Sequence, residues 1–347
     1  MKAARFDADD STVSIEDVEI PSVGPDEVRV DLQAASLCGS DVHFFHGTLP
    51  EPTVNPVTMG HEGAGVVDAV GDNVEHVSVG EQVAIHYVDS CGTCKPCLQG
   101  HDQRCRNRRH FGDHRHGTFA EFVTIPGENA LPIADHVPIE WVSISACAVA
   151  TPYHAAVRSQ VENGDTVVVF GIGGIGLHAV LWANYFGAGE VIAVDINNRN
   201  LAGADEYGAD LLVNAKEEDP VDVIKEHTDG WGADVVLECS GSEVAMEQAF
   251  ESIKGRHRFA TGNVVLVGIQ DNPIPSVDFM GLREGYLTVS GDHTRNELRQ
   301  IVTLLEGEKI DLSSSITHRF PLSEIRTAVD TLEHGEERVG RIVLDPT

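Results

Sequence analysis

Seven cysteines carry the first chemical signal in this 347-residue chain. Cys91, Cys94, Cys97 and Cys105 fall in CGTCKPCLQGHDQRC, with two, two and seven residues between them. Four thiolates in one short loop complete a tetrahedral zinc shell and leave no open position. The expected site is therefore structural, a cross-link for a loop with little core of its own. Close cysteine spacing also suits an iron–sulfur cluster, although nothing else in the chain suggests electron transfer. Disulfides fit less well in a compartment that keeps thiols reduced.

A second set is scattered. Residues 37–62, LCGSDVHFFHGTLPEPTVNPVTMGHE, bring Cys38, Ser40, His43, His61 and Glu62 into one apolar, glycine-rich stretch. A thiolate and an imidazole are ligands that zinc prefers, and Gly39 and Gly60 let the backbone bend close to an ion. The same pair can be read as a buried cysteine and a surface histidine. Cys147, inside ACAVATPYHAAV, would ordinarily be core. With Cys38 and His61 it makes three protein ligands and leaves one position open for water or substrate.

A third pattern lies in residues 165–195, DTVVVFGIGGIGLHAVLWANYFGAGEVIAVD. It predicts a buried strand over 166–170, a glycine turn, a helix to about 186 and a second strand over 191–194 that ends in Asp195. Gly171, Gly173 and Gly176, with Gly174 between them, form G-x-G-x-x-G in the strand–turn–helix context that binds a dinucleotide. The first glycine makes the turn, the second lets backbone approach a pyrophosphate, the third permits close packing, and the helix N-terminus offers free N–H groups. Asp195 can accept from a ribose diol and would repel a 2′-phosphate, which favours NAD. Arg199 keeps NADP open, because it could pair with that phosphate.

These residues need scaffolds. Before residue 150 the chain reads as short strands with alternating apolar residues such as Val28, Val30 and Leu32, broken by Pro21, Gly24 and Pro25. After it, strands near 211–213, 234–238 and 264–267 alternate with helices near 221–227 and 243–253, which predicts a doubly wound parallel sheet. Ligands bind beyond the carboxyl ends of such strands, where residues 239–241 and Gly268 fall; Cys239 itself reads as core. Helices over 294–306 and 323–334 and a strand over 340–344 read as a return to the first domain. The expected division is 1–148 as a β-rich catalytic domain carrying the zinc lobe, 149–290 as the dinucleotide domain, and 291–347 as the return.

Composition narrows the setting. Fifty-five acidic against 24 basic residues give a formal charge of −31, far more than solubility requires and self-repulsive in dilute salt. A screening length of only ~3 Å at 1 M salt would relieve the repulsion, so a protein adapted to a salt-rich cytoplasm is expected. Such a field makes nucleic acid an unsuitable partner. No apolar run approaches the ~18 residues of a membrane span, and MKAARFDADD has no apolar signal core, so a cytoplasmic location is expected. Arg104, Arg106, Arg108, Arg109 and Arg115, with several histidines among them, read as charge balance or as a cationic rim for an anionic or polyhydroxylated substrate.

Along essentially its whole length the chain resembles the zinc-dependent medium-chain alcohol dehydrogenase family. The matches are CGSD at 38, GHE at 60, the four-cysteine lobe, Cys147, GIGGIG at 171 and VGRIVL near the end. The resemblance implies a GroES-like catalytic domain and a Rossmann coenzyme domain, a catalytic zinc on Cys38, His61 and Cys147, and Glu62 behind it. It places Ser40 and His43 in a proton relay and Arg341 on the cofactor pyrophosphate. Zinc acidifies an alcohol in its open position, so hydride can pass to the nicotinamide, while Ser40 takes the proton and His43 passes it to solvent. A small-molecule alcohol, aldehyde or ketone is the implied substrate, and a homodimer or homotetramer the implied assembly. Polyol and sugar branches commonly carry Glu as third ligand, so Cys147 favours a simple alcohol; polyol or sugar oxidation is the alternative. A non-catalytic zinc and nucleotide-binding protein is the reading outside that class.

Overall fold

The computed structural model describes all residues except 254, 257, 258, 270–273, 275–283 and 336. It separates into two compact units, Met1–Ala150 with Asp292–Thr347, and Thr151–Gly291. The breaks fall within two residues of the expected 148 and 290.

The first unit is built on a mixed sheet whose backbone is the strand Glu27–Leu37. Val28, Val30 and Leu32 alternate into the core at 0% exposure, as a period of two demands. Further along, Ala34 to Leu37 are all buried, so both faces of the sheet are covered there. Glu62–Val70 pairs with one edge and Arg341–Asp345 with the other, both antiparallel. Register does the positioning: Ser36 lies opposite Glu62, and Leu37 opposite Ile342. Residues 38, 62 and 341, remote in sequence, are thereby carried to one end of the sheet. Gln82–Ile85 and Ala130–Pro132 extend it on one side and Ile316–Pro321 on the other, while Phe122–Pro126 also pairs with Glu27–Leu37. A smaller sheet joins Thr12–Asp17, Lys2–Asp7 and Val57–Thr58.

Two helical features of this unit bear on the site. The helix Arg295–Glu306 starts on a capping box in which Thr294 and Glu297 satisfy each other's backbone N–H groups. After the helix Ile139–Ile144, residues Ser145–Val149 form a π-helical turn, fully buried, with Cys147 at its centre. The sequence reading left this stretch without an element. Runs of Ala and Ser give no clear apolar stripe, and a widened turn has no signature of its own.

The second unit holds a parallel six-stranded sheet in the order Leu211–Asn214, Glu190–Asp195, Thr166–Phe170, Val235–Glu238, Asn263–Leu266, Tyr286–Val289 among the described residues. The helices Gly174–Tyr185, Asn198–Glu206, Pro220–His227 and Glu243–Ser252 lie between successive strands in the chain. This is a Rossmann arrangement, and its order reverses beside Thr166–Phe170. Val167 and Val169 enter one apolar cluster and Val168 and Phe170 another, so each strand residue serves a core on its own side. The expected first strand coincides with the observed one, and the remaining expected elements differ from the observed ones by a few terminal residues. The edge strand Tyr286–Val289 was not anticipated; it leaves Tyr286 and Val289 60% and 61% exposed.

Candidate active site

Cys38 ends the central strand and caps the short helix Gly39–Phe45. Its N–H donates to Asp41 Oδ2 at 2.9 Å, so the helix start is pinned by a carboxylate only 2% exposed. The other oxygen, Asp41 Oδ1, lies 3.3 Å from His61 Nδ1. That contact orients the imidazole and leaves its Nε2 for an ion, the arrangement found behind metal-bound histidines. Asp41 was not among the residues singled out from sequence, although it completes the CGSD quartet; acidic residues in a first helical turn are too common to attract notice.

The ligand atoms of Cys38, His61, Glu62 and Cys147 all lie within 4.8 Å of one another, and all four residues are buried. Contact with Cys147, opposed by burial and helped by His61, holds the Cys38 thiol well below its usual range. Burial works against a charged His61, but Asp41 and Cys38 together raise it well above the ordinary value. Glu62 is fully buried, and desolvation raises its carboxyl to about 8 against the pull of Arg341. Arg341 Nη2 donates to Glu62 Oε2 at 2.5 Å from a position 3% exposed, while Glu62 Oε1 has no hydrogen-bond partner. With both thiols and the carboxyl ionised against one guanidinium, two negative charges would remain, which a dication would neutralise. The soft donors, the orphaned Oε1 and this imbalance all fit zinc. Arg341, expected on a pyrophosphate, is placed here against Glu62.

Ser40 Oγ donates to Cys38 Sγ at 3.2 Å. His43, three residues on in the same helix, contacts Thr48 Oγ1 at 2.7 Å through Nδ1 and is partly open to solvent. The structure puts both on one helix but joins them by no direct hydrogen bond among the described residues. Beyond His61 stands Tyr87, with ring centroids 5.3 Å apart. Tyr87 donates its hydroxyl to Asp292 Oδ1 at 3.0 Å. Burial alone would raise the Asp292 carboxyl, but His110 and Tyr87 bring it down to about 2. These polar neighbours lie 205 residues apart in the chain, which no local pattern reveals.

The four-cysteine lobe is assembled as expected. Cys94 and Cys97 sulfurs are 3.4 Å apart, Cys91 and Cys105 3.4 Å, and Cys94 and Cys105 3.9 Å. All are free thiols, far beyond the ~2.05 Å of a disulfide. Corners of a tetrahedron with zinc–sulfur bonds of about 2.3 Å would be about 3.8 Å apart, so the sulfurs suit one ion and are too close to surround a multi-iron cluster. Backbone N–H groups of Thr93 and Cys94 lower Cys91 to about 6, whereas burial lifts Cys97 to about 12. Without a cation the four cannot ionise together. Around the lobe, Arg109 pairs with Asp89 at 2.6 Å, and Arg115 with Asp89 at 3.0 Å and Glu27 at 2.8 Å. These two arginines balance internal charge rather than form a free cationic rim.

In the second unit the glycine loop takes the form its spacing requires. Gly171 has φ +83, and a Cβ there would meet Ser240 at 2.6 Å. At Gly176 a Cβ would lie 1.9 Å from the Gly171 carbonyl oxygen, so helix and strand ends touch through backbone alone. Gly173, the N-cap of the helix that begins at Gly174, has nothing within 4 Å of its Cβ position. That open space at a helix N-terminus is where a pyrophosphate would sit. Gly268 and Gly241 approach so closely that a Cβ on Gly268 would lie 2.1 Å from Gly241 N. Asp195 ends its strand with both oxygens engaged: Oδ2 accepts from Ile172 N at 2.7 Å and Oδ1 from Asn197 N at 2.8 Å. Oδ1 also accepts from Asn200 Nδ2 at 3.3 Å, so Oδ2 is the oxygen that keeps a lone pair for a ribose hydroxyl. Arg199 is exposed in the first turn of the next helix. The second unit also buries Glu238, whose carboxylate accepts from Ser240 N at 2.8 Å and Gly241 N at 3.1 Å and so fixes the neighbouring strand end.

No helix of the described residues is long and apolar enough to cross a membrane. Residues 24–135 match the family model for the alcohol dehydrogenase GroES-like domain, and residues 174–307 that for zinc-binding dehydrogenases. The chain is 34% identical over 341 residues to an L-threonine 3-dehydrogenase of Bacillus subtilis (strain 168), covering 95% of this chain and 94% of that one. It is 33% identical over 346 residues to an alcohol dehydrogenase of Geobacillus stearothermophilus, covering 99% of each. The crystal structure of galactitol-1-phosphate dehydrogenase from Escherichia coli superposes with a TM-score of 0.88 at 28% identity, over 100% of both chains.

Proposed function

Because the chain belongs to the zinc-dependent medium-chain alcohol dehydrogenase family, we propose that it transfers hydride from a primary or secondary alcohol to NAD. The observation that carries this reading is the convergence of Cys38, His61, Cys147 and Glu62 with Ser40 against one thiolate. Cys38, His61 and Cys147 would hold the ion, and Glu62 stands behind them. Zinc bound there supplies Lewis-acid polarisation that makes a hydroxyl acidic near neutral pH. Asp41 holds the imidazole in one orientation, and Arg341 fixes Glu62 at the back of the site and opposes the rise that burial imposes on its carboxyl. Ser40 receives the substrate's proton, and His43 hands it to solvent; their separate partners mean that a water or a rotamer change links them. The Gly171–Gly176 loop and the helix start at Gly174 take the pyrophosphate, and Asp195 takes the ribose.

NAD is preferred because Asp195 opposes a 2′-phosphate, with Arg199 the residue that would admit NADP. A polyol or sugar is the second reading, favoured by Tyr87, whose ring stands against His61 and whose hydroxyl reaches Asp292. Relatives named for threonine and for alcohols make amino-alcohol substrates part of the same test. A homo-oligomer is supported by the apolar edge strand Tyr286–Val289, a template for pairing with a second copy. The test is a spectrophotometric panel of alcohols, polyols, sugars and threonine with both cofactors at high salt. Cys38→Ser should abolish turnover and keep NAD binding; full activity in that variant refutes the zinc assignment, and no alcohol-dependent reduction across the panel returns the non-catalytic reading.

A further inference from the structure

We propose that His110, Asp113 and His114 form a third cation site, separate from both cysteine-based sets and suited to a borderline dication such as Zn²⁺ or Co²⁺. One ligand atom from each residue lies within 4.8 Å of the others, the same span that contains the two zinc sets. The two cysteine-based sets show the same preformed closeness of their donors.

Backbone geometry builds the cluster. His110 closes the two-residue strand Arg109–His110, which pairs with Val88–Asp89 at the root of the zinc lobe. The chain then turns back on itself: His114 N and Arg115 N both donate to His110 O, at 2.9 and 3.1 Å, and Gly112 adopts φ +81. Arg115 clamps the turn from outside through Asp89 and Glu27. Asp113 and His114 are thus delivered beside His110 by a rigid loop rather than by chance side-chain contact.

The donors are not satisfied by each other. His110 Nε2 and His114 Nδ1 are shielded from solvent and make no hydrogen bond. His114 Nδ1 nevertheless lies 2.6 Å from Asp113 Oδ2, and His110 Nε2 lies 3.6 Å from Asp292 Oδ2. Each nitrogen faces a carboxylate, and a cation placed among them would meet both imidazoles and Asp113. Ligands about 2.0–2.1 Å from a tetrahedral centre stand about 3.3 Å apart, so donors within 4.8 Å of one another need to close by no more than about 1.5 Å. Two imidazoles and a carboxylate suit zinc or cobalt better than magnesium or calcium, which demand oxygen. Side-chain exposures of 25%, 19% and 35% for His110, Asp113 and His114 give the ion an entry path. Asp292 adds a neighbouring negative charge, as an outer carboxylate does around metal-bound histidine.

The test is metal counting on the zinc-loaded full chain after equilibrium dialysis against Co²⁺, with absorption spectra recorded in parallel. Wild type should take up one ion per chain more than the cysteine sets account for, with ligand-field absorption but no thiolate charge-transfer band from the added ion. His114→Ala and Asp113→Asn should each bind one ion fewer, with the thiolate bands unchanged. An uptake limited to the cysteine sets overturns the proposal, as does a third ion that survives both substitutions. Thermal unfolding of each variant distinguishes loss of the site from loss of the fold.

Discussion

Replacing Asp41 separates its two tasks. Its Oδ2 accepts the Cys38 N–H at 2.9 Å, and its Oδ1 faces His61 Nδ1 at 3.3 Å. Asp41→Asn keeps an oxygen for Cys38 but removes the charge that fixes the imidazole. Loss of such an outer partner typically weakens metal binding 10–100-fold, or about 1.4–2.8 kcal/mol. Asp41→Ala removes both contacts and leaves a buried N–H unpaired, which costs a further ~1–3 kcal/mol of fold stability. Chelator competition reads the first effect, with the four-cysteine ion as internal reference because it lies on other residues. Chemical denaturation reads the second. Wild-type zinc affinity in Asp41→Asn would refute the orienting role, and an Ala variant no less stable than the Asn variant would refute the backbone anchor.

Three other outcomes follow from the geometry. Gly173→Ala should fold normally, since its Cβ has open space, yet lose NAD affinity, whereas Gly176→Ala should lose stability as well because its Cβ would strike a backbone oxygen at 1.9 Å; calorimetry and NAD titration separate them, and unchanged NAD binding in Gly173→Ala contradicts the pyrophosphate placement. His293 is buried beside His86 and Tyr87, near Glu297, and burial, helped by His86, lowers it from 6.5 to about 4. The folded state therefore binds fewer protons than the unfolded one between those values, so stability contributed above pH 6.5 should fall by ~3 kcal/mol as pH drops towards 4; His293→Gln should flatten this part of the curve, and an equal slope in both proteins argues against it. Finally, the −31 charge should make unfolding strongly salt-dependent, since screening shortens from ~10 Å at 0.1 M to ~3 Å at 1 M; equal stability in dilute buffer and molar KCl would remove the case for a salt-rich cytoplasm.

Much of the fold was legible because its signals are local. The strand Thr166–Phe170 is an unbroken apolar run closed by a glycine, and helix Arg295–Glu306 begins with a Thr and a Glu three residues apart. The four-cysteine lobe is equally self-contained, lying within 15 residues of chain. The catalytic set was readable as ligand types, but its surroundings were not. Asp41 looks like any first-turn acid, Glu62 and Arg341 meet across 279 residues, and Tyr87 finds Asp292 only through tertiary folding. Arg109 and Arg115 looked like a surface feature because their partners, Asp89 and Glu27, give no sequence sign of pairing.

What brings these distant groups together is sheet register. Ser36 opposite Glu62 and Leu37 opposite Ile342 fix where Cys38, His61 and Arg341 emerge, and a one-residue slip would turn each side chain to the other face. The apolar residues that hold the register, Leu37 and Ile342 at 0% exposure, therefore position the chemistry as surely as the ligands do. The same logic explains the buried ion pair. Arg341 is charged wherever it lies, and burying it beside two thiols is tolerable only if Glu62 answers it. Once it does, ionising both cysteines leaves only the His61 imidazole on the protein side to answer their charge. The fold thus creates a demand for a dication before any ion arrives, and ligand geometry only decides which one.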